Sequence, residues 1–183
     1  MARLARNIAV APGEAYHVIA RGNGGVTIFE EHEDYEAYLE FTREAQEKHG
    51  VAIFHYALMP NHMHFLVSPS SELSGFMHAV QLRYAKRFCK RHKFAGHVWQ
   101  GRYKSLRIDS DPYLFACGNY IEMNPVRAGL VERPEDWPHS SYRAYAYGEK
   151  DKIVTIDPFY ITLGRNTEER MRMYRDSVAS TRA

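Results

Sequence analysis

"VAIFHYALMPNHMHFLV", residues 51–67, decides the architecture. Val51 to Met59 is dense in the β-branched and aromatic residues that suit a pleated surface, Pro60-Asn61 is a turn dipeptide, and His62 to Val67 resumes a strand pattern. Two strands so close in sequence form a hairpin. Side chains at i and i+2 of a strand point to the same side of the sheet, so His62 and His64 share one face while Met63, Phe65 and Val67 share the other. One face of this strand is built for a core, and the other carries two titratable, metal-competent rings.

Upstream of the hairpin, "YHVIAR" (16–21) reads as a first strand, ended by the loop "RGNGG". From Glu33 to His49, Tyr35, Tyr38, Leu39, Phe41 and Ala45 recur at helical spacing, with Gly50 closing the helix. Downstream, Ser71 opens a second helix running to about His92, with an apolar stripe of Leu73, Phe76, Met77, Val80, Tyr84 and Phe88. "HVWQGRYKSLRI" (97–108) reads as a strand interrupted or bulged at Gly101. A third helix starts at "SDPY", where Ser110 or Asp111 can cap and Pro112 suits the first helical position. It stops near Asn124, because Pro125 disfavours a helical conformation in the residue before it. Strand, helix, strand, strand, helix, strand is the order of an α+β, ferredoxin-like split βαβ sandwich, in which two helices cover one face of an antiparallel sheet. The third helix is then expected near the open face. Beyond Val126 the pattern weakens. "WPHSSYRAYAYG" is irregular, "DPFYITLG" reads as a short strand or loop, and Thr167 to Ser180 as a charged terminal helix.

The 183 residues, 45% of them hydrophobic, suffice for one domain with an ordinary core. A net charge of +2 says little about partners, so the distribution of charge matters more. Cys89 and Cys117 form no CxxC pattern and fit small core positions in a reducing compartment. No segment reads as a membrane span and "MARLARNIAV" has no apolar leader core, so the expected location is the cytoplasm, with no membrane partner.

Three features carry chemistry. Neutral imidazoles on one face, as at His62 and His64, can chelate a divalent transition metal. In "YIEMNPVRAG" (120–129), Tyr120 and Asn124 are one helical turn apart, a nucleophilic phenol beside an amide oxygen able to act as a third metal ligand. Tyr113 lies seven residues upstream on much the same face and is the rival nucleophile. Finally, between Leu73 and Ile108 there is no Asp or Glu, while Arg83, Lys86, Arg87, Lys90, Arg91, Lys93, Arg102, Lys104 and Arg107 all occur. Tyr84, Phe88, Trp99 and Tyr103 interleave with them as surfaces for unpaired bases. If about five of the cations met phosphates, log affinity would fall with log salt at a slope of about −3.5 on a single strand. Each feature alone has an ordinary explanation: a packed histidine beside an exposed one, a core tyrosine, a solvated helix face. Together they are the parts of a phosphodiester-transfer site.

"MPNHMHFLV" is similar to the HUH motif of histidine, bulky apolar residue, histidine. With "VWQGRYKS", "YIEMNPVRAGLV" and "WPHSSYRAY" it makes residues 16 to 145 resemble the single-tyrosine HUH transposases of insertion-sequence-200 type, nearest to the branch associated with repeated extragenic palindromes (REP). Met63 stands where the motif's middle residue is commonly β-branched. The resemblance implies that His62, His64 and Asn124 hold Mg²⁺ or Mn²⁺ and that Tyr120 attacks single-stranded DNA, leaving a 5′-phosphotyrosyl link and a free 3′-OH. Hairpin DNA is the implied partner, with no nucleotide cofactor. Arg83, Lys86, Arg87, Lys90, Arg102, Lys104 and Arg107 are the candidate DNA contacts. The catalytic domain would span residues 1–148, with 149–183 an extension of unassigned role. Monomer or homodimer is open, with monomer the expectation. The rival reading is a non-catalytic nucleic-acid-binding module that regulates its own repeats.

Overall fold

The computed structural model describes residues 13–181; the stretch "MARLARNIAV" lies outside them. Strands β1 (Ala15–Arg21), β2 (Val51–Met59), β3 (His62–Pro69) and β4 (Lys104–Ile108) form one sheet in the order β2-β3-β1-β4, antiparallel throughout. Helices α1 (His32–His49) and α2 (Leu73–Arg91) cover one face. This is the expected split βαβ arrangement. Gly50, in the left-handed conformation at φ 61°, ends α1 as its sequence position indicated.

The main core lies between the sheet and these two helices. Val18 of β1, Met63, Phe65 and Val67 of β3, and Tyr38, Phe76, Tyr84 and Phe88 of the helices are all fully buried in it. Tyr103 is buried there too, and Trp99 packs against it with its indole N–H donating to Gln81 O at 2.9 Å. The four aromatics offered as base-stacking surfaces are thus taken up by packing: Tyr84 and Phe88 belong to the apolar stripe of α2, which serves a core first, and Tyr103 and Trp99 pack into the same cluster.

A bulge shifts the β2–β3 register between Ile53 and His55. The extra residue keeps Ile53, Tyr56 and Leu58 toward the main core and turns Phe54, His55 and Ala57 to the opposite face. On that second face lies α3 (Asp111–Glu122), packed through Leu114 and Ile121 onto Phe54, Ala57 and Leu66.

Three boundaries differ from the sequence reading. The strand expected over 97–108 is regular only from Lys104, because Gly96 (φ 125°) and Gly101 (φ 70°) break the run before it and leave Trp99 a single bridge to Gly22. Pro125 does not end helical structure: α3 closes at Glu122, and α4 (Asn124–Arg127) takes Pro125 into its first turn, where a missing N–H costs nothing. "DPFYITLG" is neither strand nor loop but contains helix α6 (Pro158–Thr162), whose Asp157 cap accepts from Phe159 N at 2.8 Å. The short α5 (Tyr142–Tyr147) precedes it, and α7 (Thr167–Ser180) follows as expected. β2 would be a bare sheet edge, but Leu58 N–H donates to His139 O and Thr155 N–H to Ile53 O, so later chain covers it.

Candidate active site

The second face of the sheet is built by strand register. Arg21 pairs with His62 and Ile19 with His64 across β1–β3, while Ile19 pairs with Lys104 across β1–β4. Directly paired residues share a face. Arg21, Ile19, His17, His62, His64, Lys104 and Leu106 therefore all look toward the side on which α3 lies.

The rings converge there. His62 and His64 have centroids 4.9 Å apart; His17 stacks on His64 at 5.1 Å and brings its Nε2 to 2.9 Å from His64 Nδ1. The Tyr120 ring, on the last turn of α3, stands edge-on to both, 6.3 Å from His17 and 6.5 Å from His64. Arg127, on α4, lays its guanidinium 4.7 Å from the centre of the same phenol ring. Tyr120 is 45% exposed, so the nucleophile candidate is not locked in the interior. Tyr113 is 72% exposed, and among the described residues no ring contact joins it to the histidines. Among the described residues Tyr120, which its i+4 partner Asn124 already favours in the sequence over Tyr113 with Cys117 at i+4, is the one of the two in ring contact with the histidines.

The imidazoles are neutral near pH 7. Burial lowers His64 to about 3, with smaller contributions from His17 and His62, and lowers His17 to about 4. His62 is also lowered, by burial first and then by the charge of Arg21. Its Nδ1–H donates to Asn61 Oδ1 at 2.6 Å, which leaves Nε2 with its lone pair. His64 reaches the same state if its Nδ1–H donates to His17 Nε2. Both rings would then present Nε2, the pattern in which a metal-binding imidazole gives its other N–H to a nearby acceptor.

Asn124 opens α4, two residues past the end of the tyrosine helix. Its side-chain N–H group donates to the carbonyls of Tyr120 (2.9 Å) and Ile121 (3.2 Å), and among the described residues nothing donates to its Oδ1. No group of three or more His, Cys, Asp or Glu side chains among the described residues is arranged to hold a metal ion. Among the described residues no hydrogen bond joins Asn124 to His62 or His64.

Beside His62 a cleft of about 470 Å³ opens between Ile19, Arg21, Gln100, Arg102 and Lys104. Among the described residues Arg21, Arg102 and Lys104 form no ion pair. The other cations singled out in the sequence sit differently. Arg83 pairs with Glu44, and Arg87 donates to Asp34 at 2.7 Å, both across the α1–α2 seam on the far side of the sheet. Lys86 and Lys90 are exposed on that same helix. Arg107 pairs with Glu14 at 2.8 Å and Asp109 at 3.2 Å. The unmixed run of cations in the sequence is mixed in space. His17, Arg21 and Arg127 were not singled out from sequence. One histidine in "YHVIAR" has no spacing partner, and only the β1–β3 register sets it beside His64.

The site thus sets a histidine pair on the third strand of an antiparallel split-βαβ sheet beside a tyrosine on the helix that follows the fourth strand. The chain belongs to the IS200-like transposase family, whose model matches residues 13–124. A protein of Haemophilus influenzae described as "Putative REP-associated tyrosine transposase" is 30% identical over 99 residues, covering 46% of this chain. The chain spans only 55% of that relative's length. The fold also matches a solved REP-associated tyrosine transposase bound to a REP hairpin, with a TM-score of 0.66 at 20% identity over 86% of this chain and 93% of the other. No helix among the described residues is long and apolar enough to cross a membrane.

Proposed function

We propose that this protein is a metal-dependent single-stranded DNA endonuclease and strand transferase acting beside hairpin DNA. The observation that carries this reading is that the Tyr120 ring stands edge-on to His64, whose ring lies 4.9 Å from that of His62, while His62 lines a cleft whose Arg21, Arg102 and Lys104 form no ion pair among the described residues. His62, His64 and the Asn124 amide oxygen would hold Mg²⁺ or Mn²⁺. The bound ion supplies Lewis-acid polarisation of a phosphoryl oxygen. In the step itself the Tyr120 oxygen, losing its proton, forms a bond to phosphorus while the bond to the 3′ oxygen breaks. The products are a 5′-phosphotyrosyl link and a 3′-OH, and because one phosphodiester replaces another the step can run backwards to rejoin strands. Arg127 over the phenol ring holds it in place and puts a positive charge beside the developing phenolate. Arg21, Arg102 and Lys104 would take flanking phosphates.

The REP hairpin in the solved relative motivates the choice of substrate. An oligonucleotide with a hairpin and a single-stranded flank, incubated with Mn²⁺ or Mg²⁺, is expected to give a covalent adduct on a denaturing gel. Tyr120→Phe abolishes it, a loss of more than about a thousandfold, with hairpin binding retained. Cleavage that survives in Tyr120→Phe moves the nucleophile elsewhere, first to Tyr113. Binding by the wild-type chain with no adduct under either metal overturns the enzyme reading in favour of a non-catalytic binding module.

A further inference from the structure

Beneath α3 lies a second polar cluster that the chemistry above does not use. Glu122 is the last residue of α3 and is fully buried. A negative charge at a helix C-terminus opposes the helix dipole, and a buried carboxylate is costly unless its oxygens are satisfied. Here they are. Oε1 accepts from His55 Nδ1 at 3.0 Å and from Ser141 Oγ at 2.5 Å, and Oε2 accepts from the Tyr174 hydroxyl at 2.5 Å. The other side of the His55 ring approaches Asp157 Oδ2 at 3.5 Å, while Tyr145 stacks on its face at 4.4 Å. His55 is on β2, Ser141 precedes α5, Asp157 caps α6 and Tyr174 is on α7. One carboxylate thus ties the end of the tyrosine helix to the sheet and to the segment after Gly148.

The fit is close. A Cβ on Gly118 would stand 2.7 Å from the His55 ring, so α3 rests directly on that imidazole. Glu122 and Tyr120 are two residues apart, hence about 200° around the helix, so when one points into the body the other points out over the site.

We propose that the cluster of His55, Glu122, Ser141, Asp157 and Tyr174 is the device that sets the rotation and depth of α3, and so the position of Tyr120 over the imidazoles. The described part of the C-terminal extension, residues 149–181, then belongs to the active-site scaffold, and α7 acts on the reaction without touching it. The inference rests on the reading of Tyr120 as nucleophile. All five are positioning residues.

The test uses Tyr174→Phe, which removes one donor to Glu122 and little volume, Ser141→Ala as a second donor deletion in case the first variant does not fold, and Glu122→Gln as the conservative replacement. Two quantities are read in the full chain: the single-turnover rate of adduct formation at saturating hairpin oligonucleotide, and amide hydrogen exchange along α3 compared with β1 and β3. Misplacing a nucleophile by about 1 Å costs up to about a hundredfold. Tyr174→Phe is expected to lower the rate by about tenfold or more, with hairpin Kd within about twofold, and to speed exchange in α3 alone. Glu122→Gln is expected to retain more of the rate than Glu122→Ala. A lower melting temperature with rate and α3 exchange unchanged overturns the proposal, as does a rate loss matched by an equal loss of binding. A wild-type chain that makes no adduct defeats the nucleophile reading instead; the exchange measurement still stands, and unchanged α3 protection in Tyr174→Phe would overturn the positional inference on its own.

Discussion

The two faces of this sheet carry cations with opposite surroundings. On the core side, Arg83, Arg87 and Arg91 of α2 meet Glu44, Asp34 and Glu33 of α1 and Glu31, which precedes it. Asp34 is fully buried there and is held ionised: burial pushes its carboxyl up, but Arg87, the backbone N–H groups of Glu30 and Glu31, and His92 together bring it below the usual carboxylate range. On the site side, Arg21, Arg102 and Lys104 surround a cleft with no carboxylate within ion-pair distance among the described residues, beside three histidines kept neutral by burial. Charge counted along the chain does not separate the two sets. What separates them is which anions the fold brings opposite, and only unmatched cations remain for a polyanion.

That contrast can be broken in three ways. The largest effect concerns protons. His17 and His64 titrate near 4 and 3 when folded, against about 6.5 when unfolded. In the window between, the unfolded chain binds more protons, so the stability these two contribute is fully present above about pH 6.5 and is lost as pH falls toward their folded values, at up to about 1.4 kcal/mol per pH unit for each. Urea unfolding of the metal-free protein at pH 7.0 and 5.0 checks this. His17→Phe should remove a share of the slope, and a slope unchanged by that substitution would mean the site face is not where the acid sensitivity resides. His55, on the same face but buried under α3, has the opposite sign: burial lowers its pKa, but the hydrogen bonds and charges of Asp157 and Glu122 raise it more. Its contribution is complete below about pH 6.5 and is lost at higher pH.

Next in size is the His17–His64 contact itself. If His17 only fills space, His17→Phe preserves Mn²⁺ affinity. If it fixes the His64 ring so that Nε2 faces the metal, affinity measured by calorimetry falls by about 10- to 100-fold, while His17→Gln, which keeps an acceptor, loses less.

The smallest effect tests the cations directly. Arg102→Ala and Lys104→Ala should each flatten the plot of log hairpin affinity against log salt by about 0.7 on single-stranded DNA. Arg83→Ala should leave that slope alone and change stability by about 1 kcal/mol or less, as for an exposed ion pair. Equal slopes for Arg83→Ala and Arg102→Ala would erase the distinction between the faces.

Local pattern carried far in this chain. The period-2 alternation of His62 to Val67 and the 3.6-residue stripes of α1 and α2 are short-range consequences of backbone geometry, and each appears where the sequence places it. The same logic set Asn124 one turn after Tyr120. It failed where two local signals competed. Asp157-Pro158 is the same kind of helix start as Ser110-Asp111-Pro112, but the apolar run behind it reads equally well as a strand.

The sequence by itself determined the split βαβ order, the face on which His62 and His64 stand, and the candidate phenol, because these depend on residues only a few positions apart. Tertiary structure alone decided that Tyr120 meets the imidazoles, that His17 joins them, which cations are left unpaired among the described residues, and that a carboxylate two residues from Tyr120 is tied to Tyr174. Each of those depends on strand register or helix packing between segments tens of residues apart. Such distances are set by the burial of whole faces at once, which no local pattern encodes.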